Sequence, residues 1–113
     1  MQAPQEAMLL RIYTEEGKRD GDGPLYEHIV MKAREAKLAG ATVLRGPMGY
    51  GQTAVLHTAK ILDLSAKLPL VIEIVDAEDK IRAFLASLDD LPDLGLVTLE
   101  KVEVVHYGGK AGR

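Results

Sequence analysis

The chain has 113 residues, 47% of them apolar but only 4% aromatic, and 17 acids against 14 bases give a net charge of −3. This length suits one domain with a modest core of Leu, Ile, Val and Ala, and with no basic run beyond Lys18-Arg19 it excludes generic nucleic-acid binding. Zero cysteines exclude a disulfide framework and thiolate metal sites and fit a cytoplasmic location, and no apolar run reaches the ~20 residues of a membrane span, so no membrane insertion is expected.

Met1–Glu6 is a polar lead-in, and Ala7–Tyr13 reads as the first strand, with Leu10 and Ile12 on one face and Arg11 on the other. A charged loop over Thr14–Gly23 follows. Asp22-Gly23-Pro24 signals a helix start with Pro24 at the first helical position, where its missing N–H costs nothing. Leu25, Ile29, Ala33 and Ala36 recur at helical spacing, and Gly40 is placed to end the helix as a left-handed cap. Ala41–Leu44 is the second strand. Gly46 to Leu68 settles on neither period; Thr53–Leu64 reads as an extended arm or a short irregular helix, and connections this long are usually functional or mobile.

Leu68–Val75 is the clearest strand, with Pro69 confined to its start. Asp76 is expected to cap a second helix, backed by Asp79, and Ile81, Phe84, Leu85 and Leu88 form its buried stripe. Leu96–His106 is the last strand, before a glycine-rich tail. The order β-α-β-β-α-β predicts an α+β, ferredoxin-like domain over residues 1–113, an antiparallel sheet with two helices on one face. Apolar residues such as Val71 and Val105 remain for the other face, which suggests burial against a symmetric copy.

The loop after the second strand concentrates the candidate chemistry. Gly46–Thr53 fits the phosphate-loop pattern G-x-x-x-x-G-K-[ST] except at Gln52, whose neutral amide cannot supply the lysine's charge. Nucleotide hydrolysis is therefore disfavoured. Two readings stay open: a nest of amides for an anion, flanked by Arg45 and Gln52, or a turn that uses glycine for geometry alone. His28, His57 and His106 lack paired-ligand spacing, and no metal site is expected. Glu15-Glu16 and Asp89-Asp90 read as solvated, and Thr53, Thr58 and Ser65 have no nucleophile-elbow context, so no catalytic residue is assigned. Arg11, Lys18, Arg19, Lys110 and Arg113 read as solvated surface, with convergence on one cleft in an oligomer as the alternative.

Specific stretches resemble a known family. L-R-I-Y-T-E-E, G-P-L-Y-E-H-I-V and L-A-G-A-T-V-L-R-G-P-M-G-Y-G, then L-H-T-A-K-I-L-D-L-S-A-K-L-P-L-V-I-E-I-V-D and G-L-V-T-L-E-K-V-E-V-V, are similar to a PII-like domain family of unknown function within the PII signalling superfamily. The resemblance covers most of Met8–Val105. It implies a cytoplasmic homotrimer with effector clefts between subunits and an arm that docks on transporters and enzymes. The effector it implies is an adenine nucleotide, and no other cofactor. Its ligand residues would be Arg45, Gly46, Gly49, Tyr50, Gly51 and Gln52, with Arg11 and Lys18 brought to the same cleft. His57, Thr58 and Lys60 would lie on the partner-binding arm, and a membrane transport protein is the implied partner. The chain departs from PII proteins between the second helix and last strand, where L-D-D-L-P-D-L-G is acidic and lacks their lysine. That favours a smaller or less charged nucleotide than ATP, or no nucleotide. A small hydrolase using Arg45 and His57, and a metal-responsive module using His57, are the alternatives.

Overall fold

The computed structural model describes residues 6–52, 55–58, 67–91 and 93–108. In chain order it has β1 (Glu6–Glu15), the two-residue strands β2 (Arg19–Asp20) and β3 (Gly23–Pro24), α1 (Leu25–Glu35) and β4 (Ala41–Arg45). Then come the two-residue strands β5 (Met48–Gly49) and β6 (His57–Thr58), followed by β7 (Pro69–Asp76), α2 (Glu78–Ala86) and β8 (Leu96–Glu103). The main sheet has the order β4-β7-β1-β8, and each neighbouring pair is antiparallel. This is the ferredoxin-like arrangement that the sequence predicts.

The strict period of two in β1 and β7 divides the sheet into unlike faces. Met8, Leu10 and Ile12 pair across from Asp76, Ile74 and Ile72, and all of these are buried on the side that α1 and α2 cover. Leu25, Ile29 and Ala33 from α1 and Ile81, Phe84 and Leu88 from α2 complete that core. The other face presents two cross-strand rows. One reads Leu44, Val71, Tyr13, Leu96; the next reads Thr42, Glu73, Arg11, Thr98. Tyr13, Leu44 and Leu96 are exposed in the chain as it stands.

Several local expectations are corrected. Pro24 is extended (φ −65°, ψ 136°) and serves as N-cap, so α1 begins at Leu25. The left-handed residue after α1 is Lys37 (φ 61°), not Gly40, and Ala36 is an exposed C-cap rather than part of the buried stripe. Asp76 does not cap α2. It ends β7 fully buried, and Ala77 is the N-cap with no side-chain cap bond. Asp76 accepts instead from the N–H of Ala77 at 2.6 Å and of Ala39 at 2.9 Å, tying the α1–β4 turn to the sheet. The last strand stops at Glu103, which leaves Val105 exposed beyond it rather than on the sheet. Gly95, at φ 91°, makes the turn into β8 where a Cβ would run into the Tyr13 carbonyl, so only glycine fits there.

Candidate functional site

The antiparallel registers bring four separate stretches to one end of the sheet. Glu15 pairs with Pro69, Arg45 with Leu70 and Tyr13 with Leu96, so the β1 exit, the β4 exit, the β7 entry and the loop before β8 are neighbours. Arg45 and Glu16 follow the helix-side parity of their strands, and the Arg45 Nε donates to Glu16 Oε1 at 3.0 Å. The same oxygen accepts the Leu68 N–H at 2.8 Å, while the Glu16 N–H donates to the Leu68 carbonyl at 3.0 Å. Lys18 reaches Asp93 of the acidic loop at 3.8 Å.

The glycines of the loop have different jobs. Gly46 and Gly49 keep ordinary negative-side backbone, and their missing Cβ atoms make room for the Pro69 ring, which lies 3.2 and 3.1 Å from where each would stand. Gly46 donates its N–H to the Pro69 carbonyl at 2.9 Å, so that amide is not presented to an anion. Gly51 has nothing within 4 Å and faces open space with exposed Tyr50 and Gln52. Beyond Pro47 the chain is extended, with Met48 paired to Thr58 and Gly49 to His57. The described part of the arm is therefore a ribbon rather than a helix, and it exposes Met48, Tyr50, Val55 and Leu56. Lys60 and Thr53 lie outside the described residues.

Arg11 is not brought to this loop. It stands in the open-face row, donating to Glu73 at 2.9 Å and reaching Glu100 at 3.5 Å. The Glu73 hydrogen bond raises the guanidinium above its ordinary value against the opposing effect of partial burial, so Arg11 keeps its charge throughout the physiological range. His28 is set apart too, with Nδ1 2.9 Å from Asp20 Oδ2, linking the β2–β3 ribbon to α1. Among the described residues no three His, Asp or Glu side chains converge as a metal site would require.

One feature was not legible in the sequence. At the opposite end of β4, on the open face, a recess of about 450 Å³ is lined by Gly40, Thr42, Glu73, Val75, His106 and Tyr107 among others. The Tyr107 hydroxyl donates to the Ala39 carbonyl at 2.7 Å and holds the segment after β8 across the α1–β4 turn. Among the described residues no Lys or Arg lines this recess. Its walls come from three distant stretches, so no local motif announces it. The alternation of Glu73 and Val75 onto one face is the only trace.

Residues 7–104 match the family DUF190, described as an uncharacterised ACR family. A UPF0166 protein of Aquifex aeolicus is 42% identical over 98 residues, covering 87% of this chain and 92% of that relative. A UPF0166 protein of Methanocaldococcus jannaschii is 34% identical over 100 residues, covering 88% and 92%. Among solved structures, CPII, a nitrogen regulatory PII-like protein from Thiomonas intermedia K12 bound to ADP, AMP and bicarbonate, superposes with a TM-score of 0.60. It covers 89% of this chain and 90% of its own at 15% identity, a likeness of fold alone.

Proposed function

The chain belongs to the DUF190 family of UPF0166 proteins, and from that premise we propose that it is a cytoplasmic PII-like regulator that binds an adenine nucleotide between the subunits of a homotrimer. The observation that carries this reading is that β4 has an incomplete half-site at each end. Arg45 offers a guanidinium and Tyr50–Gln52 open backbone without walls, and the recess at Gly40, Thr42, Glu73 and Val75 offers walls with no cation among the described residues. The halves lie on opposite faces and about 13 Å apart along the strand, so one chain cannot close both on one small ligand. A neighbouring copy placed head to tail can bring its loop to this recess, and a head-to-tail contact that closes forms a ring.

Leu44, Val71, Tyr13 and Leu96 supply an apolar row for the copies to bury. Three-fold closure is what the family resemblance implies. In the assembled protein Arg45 and the backbone of Tyr50–Gln52 would meet the phosphate, and Thr42, Glu73 and Val75 of the next copy the base and ribose. Arg11 orders Glu73 within that wall. The exposed Met48, Tyr50, Val55 and Leu56 suit the arm to docking on a protein partner, with a membrane transport protein as the class the resemblance favours. CPII is a nitrogen regulatory PII-like protein whose structure holds ADP and AMP, which supports testing those ligands first.

The test is light scattering for mass, then calorimetric titration with AMP, ADP and ATP. A trimer that binds at least one nucleotide, and loses it on Arg45→Ala and on Thr42→Val alike, is the expected result. A monomer, or no heat at millimolar nucleotide, sinks the reading.

A further inference from the structure

Every cation expected at the ligand is already matched to a carboxylate of its own chain: Arg45 to Glu16 at 3.0 Å, Lys18 to Asp93 at 3.8 Å and Arg11 to Glu73 at 2.9 Å. The Glu16 pair is unlike an ordinary surface pair. Its carboxylate is anchored, because one oxygen also accepts the Leu68 N–H at 2.8 Å and the residue's own N–H is bound to Leu68. Its side chain is 27% exposed, whereas that of Arg45 is 60% exposed. The guanidinium is the partner free to swing, and the carboxylate is the partner that stays.

We infer that Glu16 sets which phosphate ligands this site accepts, by competing for Arg45 and by repelling charge. This rests on the reading of Arg45 as the phosphate-facing residue. A ligand phosphate draws Arg45 off Glu16, and its planar fork of donors suits either anion. Glu16 does not follow, since Leu68 still holds it. Its negative charge therefore remains beside the bound phosphate, and the repulsion grows with each further phosphate charge. Asp93, on the acidic loop and anchored to the Gly95 N–H at 3.0 Å, does the same from the Lys18 side. The two carboxylates tilt the site toward a nucleoside monophosphate and against the triphosphate.

Glu16→Gln is the direct test, because the amide oxygen can still accept from Leu68 and Arg45 while the charge is gone. Calorimetric titration of the full chain with AMP, ADP and ATP is expected to show ADP bound about 3- to 10-fold tighter by the variant. The gain should be smaller for AMP and larger for ATP. Asp93→Asn, at an exposed loop position, should give a gain of the same order among ligands, about 2-fold for ADP. It keeps the question open to measurement if the Glu16 variant folds poorly. Unchanged affinities, or one uniform gain for all three nucleotides, overturn the inference and leave the proposed function standing. No binding of any nucleotide by the parent and both variants overturns both.

Discussion

The two faces of the sheet are built from the same strands and do opposite things. Leu10, Ile12, Ile72 and Ile74 vanish under the helices, while one residue away Tyr13 and Arg11 stand in rows that no described element covers. The covered face holds the apolar burial that stabilises the fold. The uncovered face, with the loops at its two ends, keeps its polar groups and exposed apolar side chains for something outside the chain. In a pleated strand this division costs nothing extra, because successive side chains point opposite ways.

The two faces differ most sharply along β7. Ile72→Ala removes a fully buried side chain and is expected to cost about 2–5 kcal/mol in urea unfolding. Val71→Ala, on the open face, should cost about 1 kcal/mol in dilute protein. A Val71→Ala loss that grows with protein concentration would show the open face to be covered by another copy. Asp76→Ala should cost about 2–3 kcal/mol, since it leaves the N–H groups of Ala39 and Ala77 without their acceptor.

A gain is expected at Thr14. Its Oγ1 is buried with no hydrogen-bond partner among the described residues, so Thr14→Val should stabilise by about 1 kcal/mol, read as a higher urea midpoint at unchanged slope. The smallest effect on folding falls at the recess. Tyr107→Phe removes the bond to the Ala39 carbonyl from an exposed side chain and should move stability by less than about 0.5 kcal/mol. If that segment roofs a ligand site, the same change weakens nucleotide binding by about 2- to 5-fold in titration.

The covered face was legible in the sequence because burial writes a period. Alternation placed Leu10 and Ile12 together against Arg11, and helical spacing found Ile81, Phe84 and Leu88. What the sequence concealed has no period. The β2–β3 and β5–β6 ribbons are two residues a strand, too short for any alternation to register. Lys37 adopts the left-handed conformation that residue type assigns to Gly40, because the helix ends where its apolar stripe runs out at Ala36. Asp76 looks like a cap in the chain, but its acceptor role reaches back 37 residues to Ala39. The candidate site was half visible. Glycine density marked Arg45–Gln52, but the packing of Gly46 and Gly49 on Pro69, the Glu16–Arg45 pair and the recess all join residues far apart in sequence.

The strand order has a consequence for how the chain folds as it is made. β1 is synthesised first, yet its neighbours in the sheet are β7 and β8, so the Arg11–Glu73 pair must close a separation of 62 residues. No two-strand intermediate containing β1 can form until β7 is available, and its second edge stays open until β8 follows. Pairings this distant slow folding, because loop-closure entropy is lost before contacts reward it. During that interval β1 is an apolar strand with both edges unpaired, the kind of segment that recruits other chains. A nascent chain stalled before Pro69 is therefore the form of this protein most exposed to aggregation, and one stalled before Leu96 still leaves one edge of β1 open.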